Sequence, residues 1–234
     1  MVPVAGDLPK ELLPVAGRPV LQWTLEEAAA AGIESVVVVT SPDKPQIAQF
    51  LSGRPADRPA VSVVVQPRPR GLGDAIACAR AASGDGSIAV LLPDNLFATR
   101  EPAIAPVLAA HQRTGLPCVL LAEISGSNAT TKGVTARVHG RARSDGLWDV
   151  LAVTDKGGSD RSPLTPIGRM VFDSGVFDRL ERVRARLAPG AELDDVPLLQ
   201  DLAIERRLVG VPLAGAFFDV GVPDGYREAL AALT

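Results

Sequence analysis

The stretch "SVVVVTSPDKPQIAQFLSGRPADRPAVSVVVQ", residues 35–66, decides the architecture. It contains two β-branched runs, "SVVVVT" and "VSVVVQ", on either side of a short helical segment, "PDKPQIAQFLSG". Continuous runs of this kind mark strands buried on both faces, and a helix between two strands makes a parallel crossover. The same rhythm continues outward. Upstream, "PVLQWTLEEAAAAG" starts with Pro, ends with Gly and has helical apolar spacing. Downstream, "GDAIACARAAS" reads as a helix, "SIAVLLPD" as a strand, "PAIAPVLAAHQRTG" as a helix and "PCVLLAEI" as a strand. This alternation predicts an α/β fold with a mostly parallel sheet and helices on both faces.

After Glu123 the rhythm changes. "GVTARVHG", the turn "RSDG" and "WDVLAVTDK" read as a hairpin added to the core. "GRMVFDSG" reads as a strand, "VFDRLERVRARL" and "DDVPLLQDLAIERRL" as helices, "AGAFFDVG" as a last strand and "PDGYREALAALT" as a closing helix. There is no internal repeat or linker. The expectation is one domain, 1–234, with a core over 1–123 and a lobe over 124–234 that returns to the core.

The 234 residues suffice for one large core. Net charge is −3 with no run of like charges, which argues against nucleic acid or an anionic membrane as partner. No stretch reads as a transmembrane span or a signal peptide, so a cytoplasmic enzyme fits. Cys78 and Cys118 are isolated in apolar runs and read as buried free thiols of a reducing compartment. Of 24 basic residues only Lys10, Lys44, Lys132 and Lys156 are lysines, which weights each of them slightly toward a chemical role.

Ligands of open α/β sheets bind at the carboxyl ends of the strands. Three such ends are informative. In "VVVQPRPRGLGDAIACA" a strand ends at Gln66, and Gly71-Leu72-Gly73 opens a helix. Backbone without side chains can approach a ligand there, and Gln66 offers both donor and acceptor to a base edge. An ordinary strand-to-helix turn has the same look. In "AVLLPDNLF" Asp94 ends a strand, where a carboxylate suits Mg²⁺ and also suits a plain cap. In "AGAFFDVG" Asp219 follows two Phe residues; an acid there needs a partner or a cation. Asp94 and Asp219 together would complete a metal site. His111 and His139 stand alone, and no nucleophile elbow is present.

In order, "PKELLPVAGRPVLQW", "GIESVVVVT", "QPRPRGLGDAIACA", "LLPDN" and "FFDVG" resemble the sugar-1-phosphate nucleotidyltransferases, most closely the bacterial UTP–glucose-1-phosphate uridylyltransferases. The resemblance covers nearly the whole chain. It implies a Rossmann-like mixed sheet (the nucleotide-diphospho-sugar transferase fold) with a small β-rich sugar-binding lobe. It also implies Mg²⁺-dependent formation of UDP-glucose and pyrophosphate from UTP and glucose 1-phosphate. Position by position, it implies that Gly6, Gln66, Gly71 and Asp94 contact the nucleotide and that Asp94 and Asp219 bind Mg²⁺. Lys10 would contact the reacting phosphates. Lys156, in "VTDKGG", would touch the sugar phosphate. Gly133, in "KGVTARV", and Glu192, in "GAELDD", would line the sugar site. Relatives of this kind often self-associate, and the apolar helix over residues 226–233 suits either an interface or the core.

The chain also departs from the pattern. It passes from Gly6 through Asp7 to "LPKELLPV", where the family has G-x-G-T-R and roughly ten further residues. Each backbone donor lost from such a loop costs ~10²–10³ in rate. Pro163 stands where the family has Asn, Gly157 replaces a Pro, and Thr131-Lys132 precede Gly133 where Tyr is usual. Three readings follow: an active uridylyltransferase, an impaired relative that binds nucleotide, sugar nucleotide or a protein partner, and an enzyme for another nucleotide or sugar.

Overall fold

The computed structural model describes residues 8–54, 59–124, 136–155 and 162–233. In chain order the elements are β1 (Pro14–Val15), β2 (Arg18–Pro19), α1 (Val20–Ala30), β3 (Ser35–Thr40), α2 (Pro45–Ser52), β4 (Ala60–Val65), α3 (Leu72–Cys78), β5 (Ile88–Leu91), β6 (Asn95–Ala98), α4 (Ala105–Thr114) and β7 (Cys118–Glu123). They continue with β8 (Arg137–Ala142), β9 (Trp148–Thr154), β10 (Leu164–Phe172), α5 (Val176–Arg186), α6 (Val196–Ile204), β11 (Val209–Pro212), β12 (Ala216–Asp219) and α7 (Pro223–Ala232). The α/β alternation expected from the first half of the chain is present.

Among the described residues the largest sheet has six strands in the order β5-β10-β7-β11-β9-β8. β11 runs parallel to β7. β10 enters between β5 and β7 antiparallel to both, which makes the sheet mixed. The expected hairpin is β8–β9, antiparallel and closed by a turn at Gly146, whose φ is +81°. Its strands belong to the same sheet as β5 and β7, so the second half of the chain extends the first.

β3 and β4 pair in parallel from Ser35↔Ala60 to Thr40↔Val65. The reading of both as strands buried on two faces holds for neither: no residue of β3 is fully buried, and β4 is the more open of the two. Val63 and Val65 are 40% and 50% exposed, because β4 lies at the edge of a two-stranded unit. A cavity of ≈ 560 Å³ separates β3 from β5, lined by both strands and by Leu25 and Ile76 from the helices beside them. Among the described residues β3 pairs only with β4, and β5 only with β10. The expected first strand, ending at Gly6, lies outside the described residues.

Two small ladders, both missed in the sequence, place the polar residues. β1 and β2 form a tight hairpin turning through Ala16 (φ 47°) and Gly17 (φ 74°), the left-handed pair that a two-residue hairpin needs. Its strand β1 is tied down from two directions. The Trp23 indole N–H donates to the Val15 carbonyl at 3.0 Å, and the Tyr226 hydroxyl donates to the Pro14 carbonyl at 2.7 Å. The second ladder pairs β6 with β12 antiparallel, from Ala216↔Ala98 to Asp219↔Asn95. α7 closes over it. Tyr226 and Ala229 are buried with Leu13, Val15, Val20 and Phe218, so the apolar face of this helix serves the core.

Candidate active site

Lys10 opens a single 3-10 turn, Lys10–Leu12, whose Leu12 is buried. With Leu12 and Leu13 held in the core, Lys10 stays near the surface, its side chain half-exposed. Its ammonium donates to Asp94 Oδ2 at 2.6 Å. Burial opposes the charge on Lys10, but Asp94, then Glu11 and Asp219, outweigh it and raise its pKa above the ordinary lysine value. Lys10 is therefore fully cationic at neutral pH. The next residue, Glu11, takes an ion pair from Lys44 at 2.9 Å, so Lys44 is a support for this turn rather than free surface charge.

Asp94 follows β5, and Asp219 ends β12. The β6–β12 register brings them together, because Asp219 stands opposite Asn95 and the Val220 N–H donates to the Asp94 carbonyl at 2.8 Å. Gly221 marks the point of convergence. A Cβ built there would lie 3.0 Å from Asp219 Oδ1, 3.4 Å from Asp94 Oδ2 and 3.7 Å from Lys10 Nζ. Three charged groups from three separate parts of the chain thus surround a space that glycine keeps open. Among the described residues no three His, Cys, Asp or Glu side chains cluster as a ready-made metal centre. Two carboxylates with room between them fit a hard cation that completes its shell with phosphate oxygens and water.

The Gln66 loop stands next to this group: Gln66 and Pro69 line the ≈ 560 Å³ cavity beside β3 and β5, and Leu72 lines both that cavity and the cleft at Asp94. Gln66 follows β4, and its amide N–H₂ donates to the Gly71 carbonyl at 3.2 Å and to Asp74 Oδ2 at 2.8 Å. Asp74 is fixed in turn by the Arg184 guanidinium at 2.8 Å. Gly71 has φ +97°, and a Cβ there would meet the Leu193 carbonyl oxygen at 2.5 Å, so glycine is required on two counts. Leu193 N donates to the Arg70 carbonyl at 2.7 Å, and Asp74 N donates to the Leu193 carbonyl at 3.1 Å. The loop is thereby clasped by the segment that carries Glu192, which is itself exposed.

One cleft of ≈ 350 Å³ is lined by Lys10, Asp94 and Asp219 together with Leu72, Asp194 and Asp195. Lys10, Asp94 and Asp219 are brought together, and Gln66 and Gly71 form a second, separate group. Gly6, Gly133 and Lys156 lie outside the described residues. The sequence reading missed Asp74, Asn95, Asp194 and Asp195. Asn95 directly follows the suspected Asp94, Asp194 and Asp195 follow Glu192-Leu193, and the doublets "DN" and "DD" were the available signal. Outside the cleft, His111 is buried between Ser87 Oγ at 2.8 Å and the Leu116 carbonyl at 2.6 Å, which is a structural role. Cys78 and Cys118 are both free thiols; Cys118 is buried as expected, but Cys78 is only half-buried. No described helix is long and apolar enough to cross a membrane.

The chain is 25% identical to the UTP–glucose-1-phosphate uridylyltransferase of Bacillus subtilis, over 96% of this chain and 83% of that protein. It is 27% identical to the enzyme of the same name from Mycoplasma genitalium, over 98% of this chain and 85% of that protein. A solved UDP-glucose pyrophosphorylase, complexed with UDP-glucose, superimposes with a TM-score of 0.84 at 24% identity, over 96% of this chain and 90% of that one. The pyrophosphorylase from Acinetobacter baumannii gives 0.80 at 22% identity, over 97% and 86%. These structures share the nucleotide-diphospho-sugar transferase fold with this chain. The family model described as "Nucleotidyl transferase" matches residues 1–234, and with the acids and the lysine converging at the strand ends, the chain belongs to the nucleotidyl transferase family.

Proposed function

We propose that the chain transfers a uridylyl group from UTP to glucose 1-phosphate, forming UDP-glucose and releasing pyrophosphate. The observation that carries the reading is the convergence of Lys10, Asp94 and Asp219 around Gly221 at the mouth of the sheet. The names of the relatives supply the substrates. An oxygen of the sugar phosphate attacks the α-phosphorus in line, the α–β bond breaks, and pyrophosphate leaves with its electron pair. No covalent enzyme intermediate is needed, so alignment and charge stabilisation are the protein's work.

The Gln66–Gly71 loop would hold the uracil, with the Gln66 amide kept in orientation by Gly71 and Asp74. Lys10 would stabilise the charge that develops on the phosphates. A divalent cation, Mg²⁺ on this reading, would sit between Asp94 and Asp219 and supply Lewis-acid stabilisation of phosphoryl oxygens. Glu192, beside the clasp, would meet the sugar, together with Gly133 and Lys156. We assign the nucleotide to the core over 1–123 and the sugar to the lobe over 124–234.

A coupled pyrophosphate-release assay with UTP, glucose 1-phosphate and Mg²⁺ tests the proposal. Turnover well above an Asp94→Ala control supports it. Binding of UTP or UDP-glucose without turnover would instead favour the binding-only relative, which the direct passage from Gly6 to Leu8 motivates. Replacing UTP by dTTP, or glucose 1-phosphate by mannose 1-phosphate, decides the substrate pair.

A further inference from the structure

We propose that Arg169 is the positioning residue of the Asp94 loop, acting with Glu27 as a buried clamp on the backbone at both sides of Pro93–Asp94. Its bearing on catalysis rests on the nucleotidyl-transfer reading, whereas the clamp itself rests on geometry alone.

Arg169 lies in β10 and is fully buried, at 0% exposure. Every N–H of its guanidinium has an acceptor. Nε donates to Glu27 Oε1 at 2.8 Å, and Nη2 donates to Glu27 Oε2 at 2.6 Å. Nη1 donates to the carbonyls of Leu92 at 2.9 Å and Gly168 at 2.7 Å. Nη2 also donates to the Asn95 carbonyl at 3.1 Å. Leu92 and Asn95 bracket Pro93 and Asp94. The guanidinium therefore holds the two ends of the loop whose carboxylate meets Lys10. The Phe97 ring covers the guanidinium at 4.5 Å.

The surrounding groups complete the clamp. Glu27 Oε1 also accepts the Ile104 N–H at 2.9 Å, joining α1 to the start of α4. Asn95 Oδ1 accepts the Gly168 N–H at 3.0 Å. A Cβ at Gly168 would lie 2.7 Å from the Leu92 Cβ and 2.8 Å from Asn95 Oδ1, so β10 reaches the loop only because residue 168 is glycine.

Stability alone is a weak reason for such a pair. Well-packed apolar residues in place of a buried ion pair are often as stable or more so. What apolar residues could not do is hold two carbonyls with directed donors, and a lysine lacks the planar fork that reaches both.

The test is the double variant Glu27→Met/Arg169→Met, which removes the pair without leaving a buried charge, alongside Arg169→Lys. Three readouts apply. Amide exchange at Asn95 and Val220, which donate to Leu92 and Asp94, should quicken at least tenfold while global melting stays near wild type. Mn²⁺ affinity in the presence of UTP, read by electron paramagnetic resonance, should fall about 10–100-fold. Turnover should fall about 100-fold with KM for UTP changed less than threefold.

A folded variant with wild-type exchange at Asn95 and Val220 overturns the clamp. If the variants do not fold, native-state exchange of the wild type decides: these two amides should open only with global unfolding, and a lower opening free energy overturns the proposal. A wild type with slow exchange but no turnover would defeat the nucleotidyl-transfer reading and leave the clamp standing.

Discussion

Asp219 stands opposite Asn95 in the β6–β12 ladder, and this register sets its carboxylate beside that of Asp94. The two acids are 125 positions apart in the sequence, yet a four-residue strand pairing fixes their separation. The cleft owes its charge arrangement to that ladder.

Removing either acid should abolish most turnover while leaving the fold intact. Asp94→Ala and Asp219→Ala should each lower kcat by ~10²–10³, the scale for losing one group aimed at developing charge. Circular dichroism and the melting temperature should remain close to wild type, since both side chains line an open cleft.

Gly221→Ala tests the convergence point without removing any charge. Its methyl would enter the space between Asp94, Asp219 and Lys10. Turnover should fall by at least ~10-fold, with weaker Mn²⁺ binding as the companion readout, because small displacements of aligned groups are costly.

Lys10 should remain an ammonium throughout an assay from pH 7 to 9, because Asp94 and its neighbours hold its pKa above the ordinary lysine value. The stabilisation from its ion pair is present at these pH values and is lost only as pH rises through that elevated pKa. Lys10→Met should lower kcat by about 100-fold. It should leave the shape of the pH profile between 7 and 9 unchanged, which a stopped assay at several pH values checks.

Gly71→Ala should destabilise the protein by ~1–3 kcal/mol, as expected for strain at a left-handed position, and should loosen the Gln66 loop. The Leu193 carbonyl blocks relaxation. Chemical denaturation measures the first effect and UTP calorimetry the second.

Cys118 is fully buried, and burial pushes its thiol up to about 11 from an ordinary value of 9.0, against the opposing hydrogen bond to Thr114 and the charges of Arg113 and Arg143. The unfolded chain therefore loses this proton first as pH rises, so stability falls between pH 9 and 11 by roughly 2–3 kcal/mol. At pH 8 a thiol reagent should modify the half-buried Cys78 before Cys118 in the native state.

Much of the cleft was legible because its residues sit at strand ends, which a pattern of apolar runs exposes directly. Gln66, Asp94 and Asp219 were all found this way, whereas Lys10, which opens a 3-10 turn, was singled out only by the family resemblance of "PKELLPV". The ladder that organises them was not, because "NLFA" is four residues long and reads as the tail of the preceding strand. Arg169 was hidden inside "PIGRMVF". A lone arginine in an apolar strand signals a distant acid partner, but sequence spacing cannot say which one: Glu27 lies 142 positions away. The open faces of β4 also escaped the pattern, since a valine run looks alike whether or not a layer covers it.

The most direct test follows the α-phosphorus of UTP by ³¹P NMR in the presence of glucose 1-phosphate and Mg²⁺. The account predicts that the wild type converts the UTP resonances into those of UDP-glucose and pyrophosphate in equal amounts, and that Asp94→Ala does not. A folded wild-type protein whose spectrum stays that of UTP, indistinguishable from the Asp94→Ala sample, would contradict it.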